Sequence, residues 1–292
     1  MKFWDIFSRI TGRFLLRKYF RKLNAFSLEV ALKEASGVID ASAMEEIKVF
    51  IKSRQTREGG FADRGGKCDL YYTLFGGFVS EALDIKEVFP SLRNYIRKTA
   101  RSGNPEGIYL HCAAILWAKF CGKEPLPVKL REKLIDRLAD SATGEAAYAT
   151  FLNLLTCYYI RHFAGLFRLW KRIRVQMDSG NKPSTVWAAG VVVAHLRGLP
   201  TDEMVSRLLE FRRQDGSFSA TLKAPRGDLL STAVALYALK FAGHDLTLIK
   251  PACLAYVDAL YCDGGFCAAP TEEIPDVEYT FYGLLALGSL NH

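Results

Sequence analysis

Three aspartates in this 292-residue chain each precede a threonine by four positions. The pairs are Asp69 and Thr73, Asp228 and Thr232, and Asp276 and Thr280. An aspartate before an apolar run is typical of a helix N-cap, where its carboxylate accepts backbone N–H groups and contributes about 1 kcal/mol. The third stretch adds a second carboxylate, Glu278, in the expected first helical turn. We see two interpretations for it, a structural interaction with the helix dipole and a carboxylate available for proton transfer.

A glycine-aromatic loop precedes each of these stretches, which makes the pattern an internal repeat. Counted between their threonines, the last two copies are 48 residues apart. An apolar, helix-like run follows each threonine, and the second run ends at Gly243, a residue typical of helix C-termini. The loops are Gly59-Gly60-Phe61, Asp215-Gly216-Ser217-Phe218 and Asp263-Gly264-Gly265-Phe266.

Aligning the helix ends reveals three weaker copies of the repeat. Gly122 comes 11 residues after His111, as Gly243 comes 11 residues after Thr232. Each interval between copies has room for two helices of about 12–15 residues, so six helix pairs are predicted. The anchor positions of the six copies are Thr73, His111, Thr150, Trp187, Thr232 and Thr280.

Six helix pairs without a strong strand signal or a linker predict an all-α fold, namely a single (α/α)6 toroid with a basic N-terminal lead-in helix. The first helix of each pair, such as 43–53 or 203–213, has charged faces and is expected in the outer ring. The second helix is apolar nearly all round, as expected for a helix buried on both sides. We therefore assign residues 1–24 to a basic amphipathic helix and residues 25–292 to an α/α-toroid domain.

Positions two before, two after and five after each anchor share one face of the second helix. If this face points inward, it encloses an aromatic cavity for a long apolar ligand, and each ring could stabilise a cation by about 0.5–2 kcal/mol. A solid packed core is the alternative interpretation. Because Glu278 is the only carboxylate on this face, a carbohydrate-active enzyme, which needs two carboxylates about 5–9 Å apart, is disfavoured. The predicted wall residues are Tyr71, Phe75, Tyr109, Tyr148, Tyr237, Phe281 and Tyr282.

The net charge of +8 is concentrated in two segments. Residues 1–24 carry a local charge of +6 and residues 160–175 a local charge of +5, which leaves −3 for the rest. Both segments have aromatic residues at helical spacing, a combination that suits an anionic membrane surface. An ordinary surface helix is the alternative interpretation. Nucleic acid binding is disfavoured, because the sequence has no groove-reading motif.

The seven cysteines form no CxxC pair, and their odd number indicates reduced, mostly buried thiols. The longest apolar run, 186–196, has 11 residues, too few to span a bilayer. Basic residues interrupt any hydrophobic stretch near the N-terminus, so no signal peptide is expected. Together these features predict a cytoplasmic protein that lies at the membrane periphery through residues 1–24 and 160–175.

The glycine-aromatic loops with their Asp-x-x-x-Thr stretches resemble the repeats shared by protein prenyltransferase β subunits and squalene/terpene cyclases. The resemblance implies a toroid with a hydrophobic central cavity for an isoprenoid. Prenyltransferase β subunits bind zinc through an Asp-x-Cys pair and a histidine just before a repeat threonine. Here Asp228 matches the aspartate, but Leu230 and Tyr279 replace the cysteine and the histidine. Zinc-dependent protein prenylation is therefore disfavoured, and no metal or other cofactor is predicted.

Proton-initiated terpene cyclases carry an Asp-x-Asp-Asp-Thr motif whose middle aspartate is the acid. In that alignment Glu278 takes the place of the acid and Asp276 that of the first aspartate, so the resemblance implies a general acid oriented by its neighbour. Protonating an alkene or epoxide requires a neutral carboxylic acid in a dry, aromatic pocket. We expect acid-initiated cyclisation of a polyprenyl substrate. The alternative is a non-catalytic toroid that binds a lipid or a partner protein.

Overall fold

The computed structural model describes residues 17–102, 104–140, 153, 155–162 and 182–291. This part of the chain contains twelve α-helices, so the predicted all-α class is confirmed. Within the described ranges, no helix is long and apolar enough to cross a membrane. All seven cysteines are free, and five of them are buried.

The helices follow one another with short connections. Two short 3-10 turns cover Ala35–Gly37 and Lys86–Val88, and residues 155–159 are helical as well. In chain order the α-helices are α1 (Arg17–Ala25), α2 (Leu28–Glu34), α3 (Ala41–Ser53), α4 (Leu70–Ala82), α5 (Phe89–Ser102), α6 (Gly107–Phe120), α7 (Val128–Asp140), α8 (Ser184–Arg197), α9 (Asp202–Leu209), α10 (Leu229–Phe241), α11 (Lys250–Asp258) and α12 (Val277–Leu290).

Five helices, the inner helices, form the centre of the described structure. Their spatial order is α6, α4, α12, α10 and α8, each in contact with the next. They are the apolar second helices of the predicted pairs, and most of their residues are buried. The amphipathic helices α3, α5, α9 and α11 pack against α4, α6, α8 and α12. A helix that is apolar all round must be covered on both sides, and this arrangement covers it.

The glycine-aromatic loops form short antiparallel strands that the sequence does not predict. They are β1 (Phe61–Ala62) with β2 (Cys68–Asp69), and β3 (Tyr261–Cys262) with β4 (Gly265–Phe266). In the remaining loop, Phe218 makes an isolated bridge to Asp228 instead. In all three repeats the loop phenylalanine lies opposite the aspartate that precedes the inner helix. The pairs are Phe61 with Asp69, Phe218 with Asp228 and Phe266 with Asp276.

The repeat threonine attaches each loop to its inner helix. The hydroxyl of Thr232 accepts a hydrogen bond from the Phe218 N–H at 2.9 Å and donates one to the Asp228 carbonyl at 2.7 Å. The same two bonds recur at Thr73 and at Thr280. All three threonines are fully buried, so the hydroxyl satisfies a buried N–H group that would otherwise lack a partner. The repeat signature is therefore a structural device.

The N-terminal segment packs onto the C-terminal ends of the inner helices. Helix α1 extends past the predicted boundary at residue 24, contacts α8, and donates from Lys22 Nζ to the His195 carbonyl at 2.7 Å. Helix α2 contacts both α4 and α12. Its close approach to α12 requires Gly288, because a Cβ atom there would lie 1.6 Å from the Ala31 carbonyl oxygen. Residues 1–16 of the predicted lead-in helix lie outside the described residues.

Candidate ligand-binding site

A cavity of about 450 Å³ lies between the five inner helices and α2. This volume is within the range of about 300–1,000 Å³ that is usual for small-molecule sites. The solid packed core considered from the sequence is therefore not what the structure contains. Twelve lining residues lie at the helix positions predicted to face inward, namely Tyr71, Phe75, Phe78, Leu155, Thr185, Ala189, Val192, Leu230, Val234, Tyr237, Tyr282 and Leu285.

Aromatic rings in mutual contact make up one side of the cavity. Phe75 lies at the centre of this aromatic cluster. Its ring centroid is 4.7 Å from that of Tyr71, 4.9 Å from that of Phe281 and 5.5 Å from that of Tyr282. Edge and tilted contacts of this kind stabilise ring pairs beyond the burial of their area. The cluster therefore gives the ligand a well-packed wall of aromatic faces.

Helix α6 presents a different face from the one predicted. Ile108 and Cys112 line the cavity, whereas Tyr109 is 43% exposed and does not line it. The prediction placed α6 one residue out of register, because it aligned Gly122 with Gly243. Gly243 has a left-handed backbone (φ 79°) after the end of α10, whereas Gly122 does not have a positive φ. Tyr148, the remaining predicted wall residue, lies outside the described residues.

Helix α2 and the turn before it contribute to the site, although no site residue was predicted there. Leu28 lines the cavity, and Phe26 stacks on the cavity residue Tyr237 with ring centroids 5.5 Å apart. The Tyr237 hydroxyl donates to the Phe26 carbonyl at 2.9 Å. A phenylalanine in a turn and a leucine at the start of a short helix are too common to signal a ligand site, so no sequence pattern could have identified this wall.

Glu278 lies at the edge of the cavity, in the first turn of α12. Its side chain is 8% exposed, and the Tyr71 hydroxyl donates a hydrogen bond of 2.7 Å to Oε1. Burial raises the pKa of Glu278 above its ordinary value of 4.5, and the Tyr71 hydrogen bond opposes that rise. Glu278 does not itself line the cavity, whereas Tyr71 does. Tyr71 thus stands between the carboxylate and the ligand space.

Asp276 fixes the start of α12 and does not hydrogen-bond to Glu278. Its Oδ1 accepts the Tyr279 N–H at 2.8 Å, as the predicted N-cap would, and its Oδ2 accepts Arg64 Nε at 2.6 Å. Arg64 also pairs with Glu272 at 3.0 Å. Any orienting effect of Asp276 on Glu278 therefore acts through the capped helix turn. Arg64, which the sequence did not single out, reaches this site from the loop between β1 and β2.

Two further tyrosines lie near these carboxylates. Burial, together with the charges of Asp276 and Glu278, raises the pKa of Tyr72 to about 12. Burial and the charge of Glu278 raise the pKa of Tyr279 to about 12 as well. Both phenols therefore stay protonated at neutral pH and serve only as neutral hydrogen-bonding groups beside the acid.

A buried lysine, paired with two partly exposed carboxylates, lies behind the cavity wall. The Lys119 side chain is 7% exposed and forms ion pairs with Glu29 and, at 2.6 Å, with Glu81. Its Nζ lies 4.5 Å from the ring centroid of Phe78, a wall residue. The Tyr159 hydroxyl lies 2.9 Å from Glu29 Oε1. Burial alone would raise the pKa of Glu29, but the charge and hydrogen bond of Lys119 hold it below its ordinary value.

The residues at the zinc positions of the resemblance do not fit a metal. Asp228 is engaged as the N-cap of α10, where it accepts the Ser231 N–H at 2.7 Å and the Ser231 hydroxyl at 2.8 Å. Leu230 points into the ligand cavity as an apolar wall residue. Across the part of the chain that the structure describes, no group of three or more His, Cys, Asp or Glu is arranged to hold a metal ion.

The chain matches no known protein-family model, and no curated protein matches it significantly. The resemblance to prenyltransferase and cyclase repeats therefore stays a prediction.

Proposed function

We propose that this protein binds an isoprenoid, or another long apolar molecule of similar shape, in the cavity between its inner helices. The five inner helices would be part of an (α/α)6 toroid; the remaining anchor of the six, Thr150, lies outside the described residues. The contact between α4 and α12, the first and last inner helices in sequence, supports closure of the ring. The toroid would belong to the fold class of prenyltransferase β subunits and terpene cyclases.

One observation carries the proposal, namely a cavity with an aromatic wall and a single buried carboxylate joined to that wall by Tyr71. Burial destabilises the ionised form of a carboxylate. A carboxylate that is nevertheless buried beside a pocket is a candidate for a chemical role. The raised pKa of Glu278 increases the fraction of neutral carboxylic acid, the form that donates a proton.

The reaction that best suits this arrangement is acid-initiated cyclisation. With Glu278 protonated, the hydrogen bond would run from the carboxylic acid to the Tyr71 oxygen. The Tyr71 hydroxyl would then give its own proton to a terminal alkene or epoxide of the substrate and take the Glu278 proton, which leaves Glu278 as a carboxylate. The carbocation would be stabilised by the faces of Phe75, Phe281 and Tyr282 while carbon–carbon bonds form. Loss of a proton from the product, returned to Glu278 through Tyr71, would restore the site. Substrate and product would be isomers, so no co-reactant is needed.

A specific observation favours a second candidate, a non-catalytic lipid- or partner-binding protein. Glu278 does not contact the ligand space directly, and its proton would have to pass through a phenol, a much weaker acid. In that case Glu278 would serve to hold Tyr71, and the cavity would store or present its ligand unchanged.

The deciding experiment is incubation with C10–C30 isoprenoid hydrocarbons, epoxides and diphosphates, with and without added metal ions, followed by product analysis. Cyclisation predicts new isomeric products from wild-type protein, none from Glu278→Gln, and retained ligand binding in that variant. Full turnover by Glu278→Gln would exclude the acid role. Saturable binding without products would establish a lipid-binding protein, whereas the absence of both binding and products would favour a partner-binding protein.

We also propose a cytoplasmic location at an anionic membrane surface, where long isoprenoids reside. The support is the basic, aromatic composition of residues 1–24 and 160–175. The structure brings the end of one segment beside the start of the other, since the Tyr158 hydroxyl donates to Asn24 Oδ1. Nucleic acid is not proposed as a partner.

A further inference from the structure

A second cleft, of about 760 Å³, lies at the C-terminal end of α6. Helix α5, the turn after α6 and residues 159–161 form its walls. Its lining includes one carboxylate, that of Glu124, against five cationic side chains, namely Arg93, Arg97, Lys119, Lys123 and Arg161. The cleft therefore differs in character from the apolar ligand cavity.

Only part of this positive charge is neutralised within the fold. Arg97 pairs with Glu124 at 2.7 Å, and Lys119 is held by the carboxylates behind the cavity wall. Among the described residues, no carboxylate forms an ion pair with Arg93, Lys123 or Arg161. Arg93 donates only to the Phe120 carbonyl, at 3.2 Å. Three cations thus surround one cleft with their charge available to a ligand.

Arg161, which lines the cleft, has an unfavourable backbone conformation. Its φ is 54°, in the left-handed region, and its N–H bonds to the Tyr158 carbonyl at the end of the helix. The equivalent turns after α8 and α10 use Gly198 and Gly243. Glycine fits this position without steric cost, whereas a side chain costs free energy there. An arginine at a place that favours glycine suggests that its side chain is needed.

The cleft shares a wall with the ligand cavity. Lys119 lines the cleft, and its Nζ lies 4.5 Å from the ring centroid of Phe78, which lines the cavity. Phe78 lies about 10 Å along α4 from Tyr71, at the usual rise of 1.5 Å per residue. The cleft is therefore separate from the carboxylate site and does not depend on acid chemistry at Glu278.

We propose that this cleft binds a phosphate group. Arginine guanidinium groups match phosphate oxygens with paired, charge-assisted hydrogen bonds, and a lysine ammonium adds a point charge. Two sources present this chemistry, a soluble phosphate or diphosphate and the headgroup of an anionic phospholipid. The cleft begins where the basic segment 160–175 begins, which is consistent with either source.

The test uses three cleft variants, Arg93→Gln, Lys123→Gln and Arg161→Gly, with two matched controls. Lys98→Gln removes an exposed cation from α5 that does not line the cleft, and Asp84→Gly removes another side chain with a left-handed backbone (φ 56°). Binding of inorganic pyrophosphate is measured by calorimetry. Binding to phosphatidylglycerol and to phosphatidylcholine vesicles is measured by sedimentation.

We expect each cleft variant to weaken binding about tenfold, the loss of one charge-assisted contact, with both controls unchanged. Arg161→Gly should at the same time raise the thermal midpoint, so weaker binding cannot reflect unfolding. Pyrophosphate binding identifies a soluble ligand, and binding only to phosphatidylglycerol vesicles identifies a headgroup. Absence of both, or an equal loss in Lys98→Gln, would overturn the proposal.

Discussion

The hydroxyl of Tyr71 donates a hydrogen bond of 2.7 Å to Oε1 of Glu278, which lies 207 residues later in the chain. It joins the first turn of α4 to the first turn of α12, so the first and the last of the inner helices meet at one bond. The same tyrosine packs edge-on against Phe75, whose ring lines the cavity. One side chain thus connects the buried carboxylate to the ligand wall.

Glu278 should make the protein less stable as pH rises. Its pKa is raised in the folded protein, so the native state binds the proton more tightly than the unfolded chain. By linkage, the free energy of unfolding falls as pH rises from about 4.5 toward the raised pKa. Glu278→Gln should remove this slope and be at least as stable as wild type at neutral pH. Urea unfolding of both proteins across this pH range tests the prediction. The same fall in the free energy of unfolding with rising pH in the variant would contradict it.

Tyr71→Phe should raise the pKa of Glu278 further. The Tyr71 hydroxyl stabilises the ionised carboxylate and so lowers its pKa. Without this hydroxyl, the rise in pKa caused by burial is opposed less strongly. We also expect a loss of about 1 kcal/mol of stability, the usual contribution of one hydrogen bond. NMR titration of the glutamate carboxyl carbons measures the pKa. Tyr72→Phe is the control, because among the described residues the phenol that donates a hydrogen bond to Glu278 is that of Tyr71. Equal shifts in the two variants would refute the assignment.

Thr232→Val should destabilise the fold by about 1–3 kcal/mol, because the buried Phe218 N–H loses its acceptor. Thr232→Ser keeps the hydroxyl and should retain most of the stability. Because Thr232 does not line the cavity, ligand affinity of the folded valine variant should match wild type. Chemical denaturation and ligand titration separate the two effects. A valine variant as stable as wild type would show that this bond contributes little.

Lys119→Met should cost about 1–3 kcal/mol, between the usual values for exposed and for fully buried ion pairs, because it leaves the partly exposed Glu29 and Glu81 without their buried cation. The pH dependence contributed by Glu29 should also change sign. In wild type its lowered pKa adds stability that is lost as pH falls below 4.5. Without Lys119, burial raises that pKa, so acidification from neutral pH should stabilise the variant. Lys123→Met removes an exposed cation nearby as a control, and the same pH slope in both variants would contradict the prediction.

Much of the fold follows from local patterns that can be recognised in the sequence. Asp69, Asp228 and Asp276 cap their helices as predicted, and the apolar second helices are the buried ones. The inward face was predicted correctly for α4, α8, α10 and α12, because repeat spacing and helix periodicity together determine it. It was one residue out of register for α6, where Gly122 is not the left-handed residue that ends a helix.

The sequence by itself determined the apolar second helices, their three aspartate caps and the inward face of all but α6, because these depend on residues within a few turns of one another. Only the tertiary structure decided that Tyr71 meets Glu278, that Arg64 meets Asp276 and that Lys119 supports Phe78. These partners are far apart in sequence, and no local pattern favours one pairing over another. They come together because the inner helices must bury their apolar surfaces against each other, which positions the polar groups at their ends.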